Sequence, residues 1–176
     1  MDGAPLTLAN LFHRKPESLI TQSKVRILIL ACGNTLRADD GVGLWLAEWA
    51  ERRFNGQPDL RVIVRQQWTP ELAEVIGLAE SVLFIDCSVA SPPGSIRMRS
   101  VEPAEAGTGI ATHHSDAAEL LAMARDYYKA WPRTALLLTI GAGSTELGEE
   151  FSEAVKASLP EACRQIEEVV HELLVN

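Results

Sequence analysis

The 176-residue chain has only three cysteines, Cys32, Cys87 and Cys163, too few for a disulfide framework. Two of them sit in apolar runs, the usual setting of a buried reduced thiol. Positive charge is scarce: 16 Lys and Arg against 24 Asp and Glu leave a net of −8. That balance repels a phosphate backbone and argues against a nucleic-acid partner; it suits contact with a basic surface or a metal cation. No apolar stretch approaches the roughly 20 residues that cross a bilayer. The opening MDGAPLTLANLFHRKPESLITQ lacks the basic start and apolar run of a secretory signal. Internal repeats and low-complexity segments are missing too. The expectation is a cytoplasmic protein with no membrane partner. No long exposed apolar stripe stands out, so it is read as a monomer.

What is present is ordinary globular material, 47% apolar and 23% charged, enough for one domain with a core of its own. Residues 1–23 show no clean period and contain Pro5 and Pro16, so they read as an N-terminal extension to a single α/β domain over 24–176. Val25–Ala31 (VRILILA), Ser81–Asp86 (SVLFID) and Thr134–Ile140 (TALLLTI) are short, almost continuous apolar runs, the pattern of strands covered on both faces. Leu60–Val64 is a further strand. Ser95–Val101 alternates, with Ile96 and Met98 against Arg97 and Arg99, as an exposed edge strand does.

Helical spacing marks Gly41–Phe54, with Asp39 or Asp40 as its cap; a segment opened by Thr69, Pro70 and Glu71; Ser115–Lys129, capped near Ser115 or Asp116; and Glu149–Val175. Pro160 is expected to break this last helix, and Ser158 with Glu161 to restart it as a capping box. The order β-α-β-α-β-β-α-β-α predicts an open, mostly parallel twisted sheet of about five strands with one antiparallel edge strand. Helices on both faces make it a three-layer α/β/α fold.

Ligands of open α/β sheets bind beyond the carboxyl ends of the strands. That rule selects Cys32-Gly33-Asn34-Thr35 with Asp39-Asp40-Gly41 after the first strand, Asp86-Cys87-Ser88 after the third, and Thr112-His113-His114 before the third long helix. Two carboxylates and an imidazole suit a divalent transition ion, and three protein ligands leave positions open on it. Each also has a plain structural role: helix cap, loop anchor, solvent-facing histidine. Ser88 lacks a G-x-S-x-G setting. Cys87 and Cys32 read as packed thiols, Cys163 and His171 as structural or surface residues, and Trp45 with Trp49 as a packing or interface stripe. His13 lies in the extension and carries no role. Gly33, Gly41 and Gly43 do not have dinucleotide-binding spacing.

The stretch ILILACGNTLRADDGVG resembles the opening signature of the nickel–iron hydrogenase maturation endopeptidases, written around G-x-G-N-x-L-x-x-D-[DE]-G-x-G. TPELAEVI with VLFIDCS, THHSDAAELLAMA, and LLLTIGAGSTELGEEFSEAV resemble further segments of that family in the same order, covering roughly 25–175. Ala31 stands where the family has its first glycine, and Gln66-Gln67-Trp68 where many members have an acid and glycines.

The resemblance implies an aspartic-type metal-binding peptidase of the cytoplasm. It would cut a C-terminal extension from the hydrogenase large-subunit precursor once nickel is inserted there, the nickel being supplied by that substrate. The family's metal-contacting residues correspond to Asp40, Asp86 and His113, with His114 the alternative match for the histidine. A non-proteolytic chaperone of the large subunit on the same fold is the second expectation.

Overall fold

A computed structural model describes residues 24–105 and 116–175. The elements, in chain order, are β1 (Val25–Cys32), α1 (Val42–Arg53), β2 (Leu60–Arg65), α2 (Leu72–Gly77), β3 (Ala79–Ser88), β4 (Ile96–Ser100), α3 (Ala117–Tyr128), β5 (Thr134–Gly141) and α4 (Glu153–Val175). A short 3-10 turn, Ala38–Gly41, leads into α1.

The strands form one sheet in the order β2-β1-β3-β5-β4. All neighbours are parallel except β4, which runs antiparallel to β5 at the edge. The predicted five-stranded α/β/α architecture is therefore the observed one.

The continuous apolar runs follow from burial on both faces. In β1, Leu28, Leu30 and Cys32 join α2 and α3 in one core cluster. Ile27, Ile29 and Ala31 of the same strand join α1 and α4 in the other. Each fully buried Leu, Ile or Phe side chain contributes about 1.5–3 kcal/mol relative to exposure, so the sheet centre is where stability is concentrated. Trp45 and Trp49 are partly buried against the α1–α4 core, and Trp49 meets Phe54 edge-on. His171 meets the same Phe54 ring edge-on, a packing role.

Three local expectations are corrected. Helix α4 is continuous from Glu153 to Val175 with Pro160 inside it; there is no restart at Ser158. The buried stripe Val155, Ser158, Ala162, Ile166 and Val170 runs past the proline on one face. Packing along that stripe outweighs the backbone hydrogen bond a proline removes. Ser158 Oγ instead donates to the Val155 carbonyl at 2.8 Å.

Helix α2 starts at Leu72, not at Thr69. Thr69 and Pro70 form a lead-in turn whose carbonyls accept from Leu72 N and Ala73 N. The cap of α1 is Gly41, with no side-chain hydrogen bond from either Asp39 or Asp40. At α3 the expectation is met: Asp116 caps it, in a reciprocal capping box with Glu119.

Among the described residues no helix is long and apolar enough to cross a membrane.

Candidate functional site

The strand order reverses between β1 and β3. The chain leaves β1 for β2 on one side, then returns to place β3 on the other. In a doubly wound sheet the crevice at the carboxyl end of such a pair is the natural ligand site. Cys32 ends β1, Asp86 and Cys87 lie at the end of β3, and Asp40 sits in the turn that follows β1. Two of the three sequence-predicted ligand residues thus share one rim. By the two-residue period of the strands, Cys32 and Asp86 face the α2–α3 side, continuing Leu30 and Phe84.

Asp86 is half-buried, and one of its oxygens is fully used. Oδ1 accepts from Cys32 Sγ at 3.1 Å and from the Cys87 backbone N–H at 2.8 Å. Burial raises its pKa above the ordinary aspartate value. The two hydrogen bonds pull the other way, and the charge of Asp40 adds to the rise. A carboxylate desolvated beside another carboxylate is one whose charged form gains from a cation.

The Cys32 thiol is held protonated by burial, by the negative charge of Asp86 and by the hydrogen bond to it. Cys87 is pushed up to about 12 by burial and by Asp40 and Asp86. Neither thiol is suited to nucleophilic attack, in line with the sequence reading. Cys32 does more than pack, however: it is a donor to the acid.

Asp40 is positioned by its own loop. Gly33 has φ +144, and a Cβ there would lie 1.9 Å from the Asp40 carbonyl oxygen. The same carbonyl accepts from Asn34 N at 3.2 Å, while the Asn34 side chain accepts from Leu36 N at 3.0 Å. Gly43 has a second function: a Cβ there would meet the Cys32 carbonyl at 2.4 Å and the Ile85 carbonyl at 3.2 Å. Only glycine lets the first turn of α1 lie against the ends of both strands. The glycines of the GNTLRADDGVG segment are thus explained by backbone approach at the crevice.

Asp39 has a role that sequence reasoning missed. It is fully buried. Its carboxylate accepts from Gly143 N (2.7 Å), Ser144 N (2.9 Å), Ser152 N (2.7 Å) and Ser152 Oγ (2.7 Å). Burial works against its charge, but the hydrogen bonds from Ser152, Ser144 and Gly143 outweigh it and hold the pKa below the ordinary value. Asp39 clamps the loop between β5 and α4 onto the loop after β1. The sequence offered Asp39 only as a candidate cap of α1, a role it does not take.

His113 and His114 lie outside the described residues, as do His13 and residues 1–23. Helix α3 ends beside Gly77, whose built Cβ would lie 3.6 Å from Tyr128 Cβ, at the edge where β3 begins. Among the described residues no group of three or more His, Cys, Asp or Glu is arranged to hold a metal ion. The described part of the site is a pair of carboxylates, a ligand set that needs further donors.

Neither a family model nor a curated protein matches the chain. Solved structures do. The hydrogenase maturating endopeptidase HybD from E. coli is 20% identical with a TM-score of 0.71, covering 84% of this chain and 93% of that one. The hydrogenase 2 maturation peptidase from a Thaumarchaeota archaeon is 21% identical with a TM-score of 0.60, covering 83% and 98%. The [NiFe] hydrogenase maturation protease HycI from Thermococcus kodakarensis is 26% identical with a TM-score of 0.58, covering 87% and 94%. The resemblance read from the sequence motifs is borne out in three dimensions: the fold is that of the nickel–iron hydrogenase maturation endopeptidases.

Proposed function

We propose that this chain is an endopeptidase of hydrogenase maturation. It removes the C-terminal extension of a nickel–iron hydrogenase large-subunit precursor after nickel has been inserted. The observation that carries the reading is the pairing of Asp40 with Asp86 at the switch point between β1 and β3, on a fold shared with maturation endopeptidases.

Nickel belongs to the substrate in this reading. Asp86 keeps Oδ1 for Cys32 and Cys87 and offers Oδ2 to the ion. Asp40 supplies a second carboxylate, and His113, four residues before Ala117, an imidazole. Borderline-soft divalent ions accept such a set. Recognition then depends on nickel being present, so an empty precursor is passed over. Docking through the metal also holds the scissile peptide beside carboxylates that can orient water. The raised thiols of Cys32 and Cys87 favour water over an acyl-enzyme route.

The test is mass spectrometry of the precursor incubated with the purified protein. The nickel-loaded precursor is expected to shorten by its C-terminal peptide and the nickel-free precursor to remain intact. Equal cleavage of both would remove the metal-recognition role. A nickel-loaded precursor that binds and never shortens would favour the chaperone reading.

A further inference from the structure

Two large apolar side chains stand in solvent at the rim that carries the carboxylate pair. Leu36 is 55% exposed and Leu147 is 90% exposed. A leucine left so open in a mobile loop would mean little. These two are on loops fastened to each other. Gly148 N donates to the Leu36 carbonyl at 3.0 Å, and Ala38 N to the Gly148 carbonyl at 2.6 Å, a parallel bridge between the segments. Arg37 Nε donates to the Thr145 carbonyl at 3.2 Å. Asp39 N donates to the Ser144 carbonyl at 3.1 Å, and the Asp39 carboxylate gathers the amides of Gly143 and Ser144.

The two leucines are thus presented on a fixed frame, four residues before Asp40 on one side and at the tip of the β5–α4 loop on the other. Glu146, Glu149 and Glu150 surround Leu147 in sequence, and all three are exposed. Pre-ordered apolar anchors ringed by charge are the anatomy of a binding hot spot.

We propose that Leu36 and Leu147 form the anchor onto which the large-subunit precursor docks, through an apolar patch ringed by Lys and Arg. This rests on the proposed function, because the partner that brings a cation to Asp40 and Asp86 must approach this rim. The charge complementarity follows from the acidic loop and the net −8 of the chain. The same Asp39 clamp that orders the loop after β1 orders the anchor, so recognition of the partner's surface and of its metal are built on one frame.

The test uses the whole chain and a nickel-loaded large-subunit precursor from the same genome. Cleavage kinetics, and precursor binding read by stopped flow before cleavage, are measured for wild type, L36S/L147S, Leu147→Met and Trp131→Ser. Trp131 is 51% exposed and lies just before β5, at the opposite edge of the sheet. The double variant is expected to raise KM and Kd about tenfold or more with kcat retained. Leu147→Met is expected to stay near wild type and Trp131→Ser to change neither constant. Raising salt should raise KM for wild type.

An unchanged KM and Kd in the double variant, with wild type active, overturns the anchor and leaves the proposed function standing. An equal loss in Trp131→Ser overturns it as well, by showing a generic surface effect. A wild-type protein that neither binds nor cleaves the precursor overturns both.

Discussion

The Cys32 thiol donates to Asp86 Oδ1 at 3.1 Å, joining the ends of two parallel strands that are neighbours in the sheet and 54 residues apart in sequence. The bond fixes which oxygen of the acid is left for a ligand. Cys32→Ala is therefore expected to lower precursor cleavage about 3- to 10-fold, the weight of an ordinary hydrogen bond, since a thiol is a weak donor, while Cys32→Ser retains most of the activity. Cleavage rates at saturating precursor decide it; an alanine variant as fast as wild type would show the thiol to be packing alone.

Asp39 is expected to be the most costly acid to remove. Asp39→Ala strands three backbone amides, those of Gly143, Ser144 and Ser152, and the Ser152 hydroxyl at a largely buried point, and roughly 2–4 kcal/mol of stability should go with it. Asp39→Asn should recover only part, since an amide offers one acceptor oxygen where the carboxylate offers two. Urea unfolding midpoints measure both.

The same residue sets an acid limb. Its folded pKa lies below the ordinary 3.8, so the stability it contributes is fully present above that value and is lost as pH falls through the folded pKa. Thermal melts between pH 5 and 2 should fall less steeply for Asp39→Ala than for wild type. Parallel slopes would contradict the depressed pKa.

All three cysteines are expected to be sluggish. Burial, with Glu167 adding to it, raises Cys163 to about 11, and Cys87 reaches about 12. At pH 8 the least shifted of them carries about 100-fold less thiolate than an ordinary cysteine. Alkylation of the native protein by iodoacetamide should be slower than that of a free thiol by about that factor. Fast labelling of any one would contradict its described surroundings.

Much of the fold is legible in the chain because burial on both faces writes itself as unbroken apolar runs. VRILILA, SVLFID and TALLLTI became β1, β3 and β5, and the alternation of Ile96, Arg97, Met98 and Arg99 marked β4. Pro160 misled, since its local cost is visible in sequence while the stripe from Val155 to Val170 that offsets it acts through packing on the sheet.

At the site, Asp40 and Asp86 could be picked out because acids at strand ends need only local sequence to be noticed. The partnership of Cys32 with Asp86 depends on β1 and β3 being adjacent. The clamp of Asp39 reaches residues more than 100 positions away. Both belong to topology, which a single strand's pattern does not encode.

The most direct measurement is cleavage of the nickel-loaded precursor by Asp40→Asn and Asp86→Asn beside wild type, read by mass spectrometry, with each variant first shown to be folded. Both substitutions preserve size and remove the charge a cation needs. The account predicts a loss of at least about 100-fold in kcat/KM for each, the scale of a lost ligand or catalytic carboxylate. Cleavage at the wild-type rate by either folded variant would contradict the paired-carboxylate site.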